Sequence, residues 1–172
     1  MFGNVLSYLV SIATILGIPM ALYGYYSSQQ AARVDRTFDF YKEFRTGEMQ
    51  ADLNLLVDKF NERADEIQKL VEKGGNPGPV EDSLLQDVKA KAALSTVVVF
   101  YDAMGSCVDH GVCDGNAAIA LFQYQAGQVL SMFGLHIQGQ QKLIPTYGRG
   151  VYTVNGLTTQ KWWWPWSTHS SN

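Results

Sequence analysis

Apolar residues crowd the start of the chain. Val5–Tyr26 is a run of 22 residues without a charged side chain, and no Lys, Arg, Asp or Glu precedes Arg33. As a helix the run is about 33 Å long, enough to cross a hydrocarbon layer of about 30 Å. A single crossing has to be helical, because lipid offers no partner to an unpaired peptide group. Pro19 removes one backbone donor and Gly17 leaves room beside it, so a kink there is tolerable. Nothing in Ser27–Ala32 breaks a helix, and the pattern continues into Val34, Phe38 and Tyr41, with Phe40 and Phe44 widening the apolar side. Thr46 is the expected N-cap of a second helix, Glu48–Lys73. Its Met49, Leu53, Leu56, Phe60, Ala64, Ile67 and Val71 step by four and three along one stripe.

Gly74-Gly75-Asn76-Pro77 stops that helix, and the pattern predicts another over about Val80–Met104. Ser95–Met104 reads as the most deeply buried stretch of the folded part; Val97–Phe100 is also compatible with a short strand, but the preceding Ala-rich segment favours helix. Gly105–Asp114 reads as a turn, and Asp114 as the cap of a helix carrying Ile119, Phe122, Ala126, Val129, Phe133 and Ile137 on one stripe. The uncharged Gln123, Gln125 and Gln128 suit a contact surface, where no charge has to be desolvated. Beyond Gln138 the periodicity ends. Val151–Thr159 reads as a hairpin turning at Asn155-Gly156. Trp162, Trp163, Trp164 and Trp166 then present more apolar area than water tolerates, so they should meet a partner, the membrane interface or the chain's own bundle.

The fold class expected is therefore all-α. Residues 1–32 form a single N-terminal transmembrane anchor with a juxtamembrane segment, residues 33–138 a cytoplasmic antiparallel helical bundle, and residues 139–172 an irregular tail with a β-hairpin. A buried core helix and a cleaved signal are the alternatives for the anchor. Against a signal, Met1–Asn4 lacks a basic residue and the run ends in tyrosines instead of a small-residue cleavage site. Tyr23, Tyr25 and Tyr26 suit the interfacial belt, and Ser11, Ala13, Gly17 and Ala21 allow close packing on other membrane helices. Arg33, Arg36, Lys42 and Arg45 follow the run, so the positive-inside rule puts the carboxyl side in the cytoplasm, with the amino terminus outside. In that compartment Cys107 and Cys113 should be reduced thiols.

Composition narrows the chemistry. A net charge of −3 offers no overall basic surface for nucleic acid. Cys107, His110 and Cys113 are the one cluster of soft metal ligands, but three-residue steps make no standard zinc site, and His136 or His169 would have to complete it. The acidic residues from Asp35 to Asp82 repeat as solvent-facing charges do. Arg149, between two glycines, is a weak candidate for meeting a phosphate through backbone donors. No nucleophile elbow, P-loop, dinucleotide fingerprint or HExxH motif is present, so neither a catalytic residue nor a cofactor is expected.

Phe40–Phe44 (FYKEF), the acidic–apolar helix after it and the Gly111–Asp114 turn resemble a family of small bacterial membrane-anchored helical proteins known only as a domain of unknown function. The likeness covers about residues 34–135, and the cysteine loop and tryptophan tail depart from it. It implies a helical cytoplasmic bundle at the bacterial inner membrane and supplies no catalytic residue. The expectation for function is an accessory or scaffolding subunit that binds other membrane-protein subunits and the bilayer through its anchor and tryptophan tail. Its rival is a self-oligomerising, membrane-anchored sensor with a small ligand near Tyr147 and Arg149.

Overall fold

The computed structural model describes the backbone of residues 2–156 and the side chains of residues 17–156. Those residues form seven helices: α1 (Phe2–Thr46), α2 (Glu48–Asn61), α3 (Ala64–Glu72), α4 (Gly78–Leu84), α5 (Val88–Asp109), α6 (Gly115–Gln141) and α7 (Arg149–Val154). No strand occurs among them. The apolar run and the amphipathic segment after it are one continuous helix of 45 residues, about 67 Å long.

Helix α5 is the centre of the bundle and packs against α2, α6 and α7. Val97, Val98, Tyr101 and Met104 are fully enclosed, whereas Ser95, Thr96, Ala103 and Val99, the last 62% exposed, face outward, so the Ser95–Met104 segment is helical as expected but buried on one face only. Edge-to-face aromatic packing joins α1 to α5 and α6: Phe40 meets Phe100 at 5.9 Å and Phe44 meets Phe122 at 5.6 Å. Among the described residues, α5 is also the one helix long and apolar enough to cross a membrane, with a mean hydropathy of 1.2 over its most apolar window. A core helix passes the same test, and nearly half of that window is enclosed by the bundle.

Several boundaries differ from the periodic reading. The Glu48–Lys73 stripe divides at Glu62-Arg63, and α3 buries none of its residues. Along α3 the stripe residues Ala64 and Ile67 are half-buried and Val71 is exposed, so the regular apolar spacing continues where the described residues offer it only a partial partner surface. Thr46 is not the N-cap of α2; its hydroxyl donates to the Lys42 carbonyl, and Gly47 occupies the cap position. The Val80–Met104 helix is two helices, because the Asp87 carboxylate accepts from the Lys89 N–H and starts α5 afresh. Helix α5 also runs on through Gly105 to Asp109, shrinking the turn to a few residues.

The hairpin is corrected too. Residues 149–154 are helical, with Val151 and Val154 both fully buried. Their spacing of three places both valines on one helical face, and that burial overrides the β-preference of the branched residues. Asn155 and Gly156, the expected hairpin turn, instead follow the end of α7, with Asn155 at its C-cap and Gly156 at φ +74°; residues 157–159 lie outside the described residues.

Candidate functional site

The expected anchor residues fall into two groups. Gly17, Pro19, Ala21, Tyr23, Tyr25 and Tyr26 lie on α1 and are exposed. Among them stand Ile18, Met20 and Leu22, and Met20 is 77% exposed. The side chains of Ser11 and Ala13, like Trp162, Trp163, Trp164, Trp166 and His169, lie outside the described residues. This arm keeps a large apolar surface in the open while Phe40, Tyr41 and Phe44 farther along α1 are drawn into the bundle.

The bundle grips α1 just beyond the arm. The Thr37 side chain is fully buried; its hydroxyl donates to the Arg33 carbonyl and accepts from the Asp114 N–H at 3.0 Å. The Gln30 amide donates to the Asp114 carboxylate, whose other oxygen accepts from the Ala117 N–H and caps α6. The α5–α6 corner is thus fastened to α1 over residues 30–37.

Cys107 and Cys113 form a disulfide at that corner, which corrects the expectation of reduced thiols and removes both as zinc ligands. Local backbone geometry brings them together. Gly111 adopts φ +66°, its N–H bonds the Val108 carbonyl, and the Val112 and Cys113 N–H groups both bond the Cys107 carbonyl. This is a Schellman cap, and it folds Cys113 back over Cys107. The third candidate ligand, His110, places Nδ1 at 2.8 Å from the Ser106 carbonyl oxygen. Among the described residues no group of three or more His, Cys, Asp or Glu is arranged to hold a metal ion.

The Gly148-Arg149-Gly150 segment is occupied from within. Asp102, on α5, accepts from the Gly148 N–H at 2.9 Å and the Gly150 N–H at 2.8 Å. Arg149 pairs with Asp109 at 2.9 Å. The donors that could have met a phosphate are therefore committed to a carboxylate of the same chain. Burial pushes the Asp102 carboxyl up, and the two N–H groups oppose that shift. Burial, with Asp102 nearby, also pushes the Tyr147 hydroxyl up.

A cleft of about 500 Å³ lies between the start of α4 and the second half of α6, lined in part by Asn76, Asp82, His136 and Lys142. His136 Nδ1 is 3.1 Å from Asp82 Oδ1. Beneath them Glu81 is only 4% exposed and accepts from the His136 N–H, which corrects the reading of this carboxylate as a solvent charge. Burial raises its pKa above the ordinary value, with the His136 and Leu135 N–H groups opposing. The sequence offers little warning of Glu81 or Asp102, since each acts on backbone about fifty residues away. Comparison with protein-family models, with curated proteins and with solved structures gave no match for this chain.

Proposed function

We propose that this chain is a single-pass membrane accessory or scaffolding subunit, inserted by the first half of α1 and presenting its helical bundle to the other subunits of a larger assembly. The carrying observation is the exposed apolar arm Gly17–Tyr26, the continuation of an uncharged run, from which the bundle stands off. Such a surface is costly in water and favourable in lipid. The arm and the Trp162–Trp166 tail would supply two linked attachments, which raises effective concentration without a large interface at either. Extraction from native membranes in mild detergent tests the reading. Stoichiometric companion chains are expected; a monodisperse monomer carrying none, or a full-length chain soluble in plain buffer, counts against it.

The side on which the bundle lies has two supports that disagree. Arg33, Arg36, Lys42 and Arg45 favour the cytoplasm. The Cys107–Cys113 disulfide favours an oxidising compartment, since such bonds are rare in the cytosol. Labelling of Cys107 and Cys113 in intact cells by a membrane-impermeant maleimide, with and without a permeant reductant, separates the two orientations. The rival sensor reading loses the seat expected for its ligand, because Asp102 and Asp109 engage the Gly148–Gly150 segment.

A further inference from the structure

Where the apolar arm meets the bundle, the side chains change character within two helical turns. Tyr25, Tyr26, Gln29, Gln30 and Arg33 line an open recess of about 270 Å³ on α1. The recess has a vertical order. Tyr25 and Tyr26 end the uncharged run and are 63% and 77% exposed. Two neutral amides follow, and then Arg33, the first charged side chain in the sequence. Arg33 lies seven residues beyond Tyr26, about 10 Å along the axis. With the tyrosines at the edge of the hydrocarbon, that sets the Arg33 backbone just outside a headgroup layer of about 5–8 Å, from where its long side chain can reach back into the layer.

The charge of Arg33 is directed to no acid. Among the described residues no carboxylate forms an ion pair with it. Its guanidinium lies over Gly111, where an added Cβ would come within 3.9 Å of Nη2. The nearby Asp114 carboxylate is already engaged by the Gln30 amide and the Ala117 N–H. A guanidinium matches a phosphate with two parallel donors, while the hydroxyls of Tyr26 and of Tyr25, the latter accepting from the Gln29 amide at 3.2 Å, add neutral donors around it.

We propose that this recess binds the phosphate of an anionic phospholipid headgroup, with Arg33 as its principal contact. The proposal rests on the reading of α1 as a membrane anchor and adds the lipid class and the residue that selects it. Binding there couples the headgroup layer to the α5–α6 corner, because Arg33 lies on α1 between Gln30 and Thr37, the two residues that corner grips, and its carbonyl accepts from the Thr37 hydroxyl.

Full-length protein in nanodiscs of equal phosphatidylcholine and phosphatidylglycerol, followed by native mass spectrometry, tests this. Wild type should retain phosphatidylglycerol preferentially, and Arg33→Gln should lower that retention about tenfold or more, the effect of losing a charge-assisted guanidinium–phosphate contact. Arg36→Gln is the control: it removes the same charge one turn later, outside the recess, and should lower retention by no more than about fivefold, the share that one diffuse cation contributes. Circular dichroism and an intact disulfide establish that both variants fold. No headgroup preference in wild type overturns the proposal. So does equal loss in the two variants, which would mean diffuse attraction. Displacement of lipid by millimolar inorganic phosphate also overturns it, in favour of a free-anion site. Failure of the chain to enter nanodiscs at all would instead sink the anchor reading, and the lipid site with it.

Discussion

The Glu81 carboxylate on α4 caps half of another helix, accepting the His136 N–H of α6 at 3.1 Å. Phe133, at φ −133° and ψ 19°, interrupts α6, and a helix that restarts needs partners for its first N–H groups. Glu81 supplies one across 55 residues of sequence. Asp102 does the same for α7 through Gly148 and Gly150. Both carboxylates therefore act as caps delivered by tertiary contact.

The Glu81 contact predicts a pH dependence. Because folding raises the Glu81 pKa, the native state holds this proton more tightly than the unfolded chain. That contribution is fully present below the ordinary carboxylate pKa and is lost as pH rises through the raised folded value. Urea melts should show a weaker decline in stability from about pH 4.5 towards neutrality in Glu81→Gln than in wild type. Glu81→Ala, which also removes the cap, should cost about 1–2 kcal/mol. An unchanged slope in Glu81→Gln would assign the dependence elsewhere, Asp102 being the next group to examine.

Gly150 permits α7 to lie directly on α5. A Cβ there would meet the Tyr101 carbonyl oxygen, and one on Gly105 would come within 2.5 Å of the Gly150 Cα. Gly150→Ala should destabilise the fold by about 3 kcal/mol or more. Gly139→Ala, on α6 with nothing within 4 Å of an added Cβ, should instead gain about 0.5–1 kcal/mol from helix propensity. Paired thermal melts compare them; equal effects would refute the close approach.

Reduction should weaken the corner without unfolding it. The disulfide closes a short loop, worth about 2 kcal/mol by chain entropy, while the Gly111 cap persists without it. Melting with and without dithiothreitol, alongside the Cys107→Ser/Cys113→Ser double variant, measures the difference. A reduced chain that loses its helical circular dichroism would show the bond to be essential.

Tyr101 carries a buried hydroxyl with no hydrogen-bond partner. Tyr101→Phe keeps the ring among Phe100 and Phe122 and removes the unpaired group, so it should stabilise by about 1 kcal/mol. Destabilisation on denaturant melting would mean that the hydroxyl is paired in solution.

The helical class, the continuity of α1 and the burial of Val97, Val98, Tyr101 and Met104 were all legible in spacing, because a 3.6-residue period and a caps-and-breakers grammar are local properties; the exposure of Val99 on the opposite face was not. The Asp114 cap and the Gly74 stop were legible for the same reason. Tertiary structure alone decided that α3 would bury no side chain, that residues 149–154 would coil around Val151 and Val154, and that Glu81 and Asp102 would serve distant backbones. It also decided the pairing of Cys107 with Cys113 and the engagement of the Gly148–Gly150 donors. Each of these depends on which surface lies opposite a residue, and that is settled only when helices remote in sequence compete to bury apolar area and satisfy the same N–H groups.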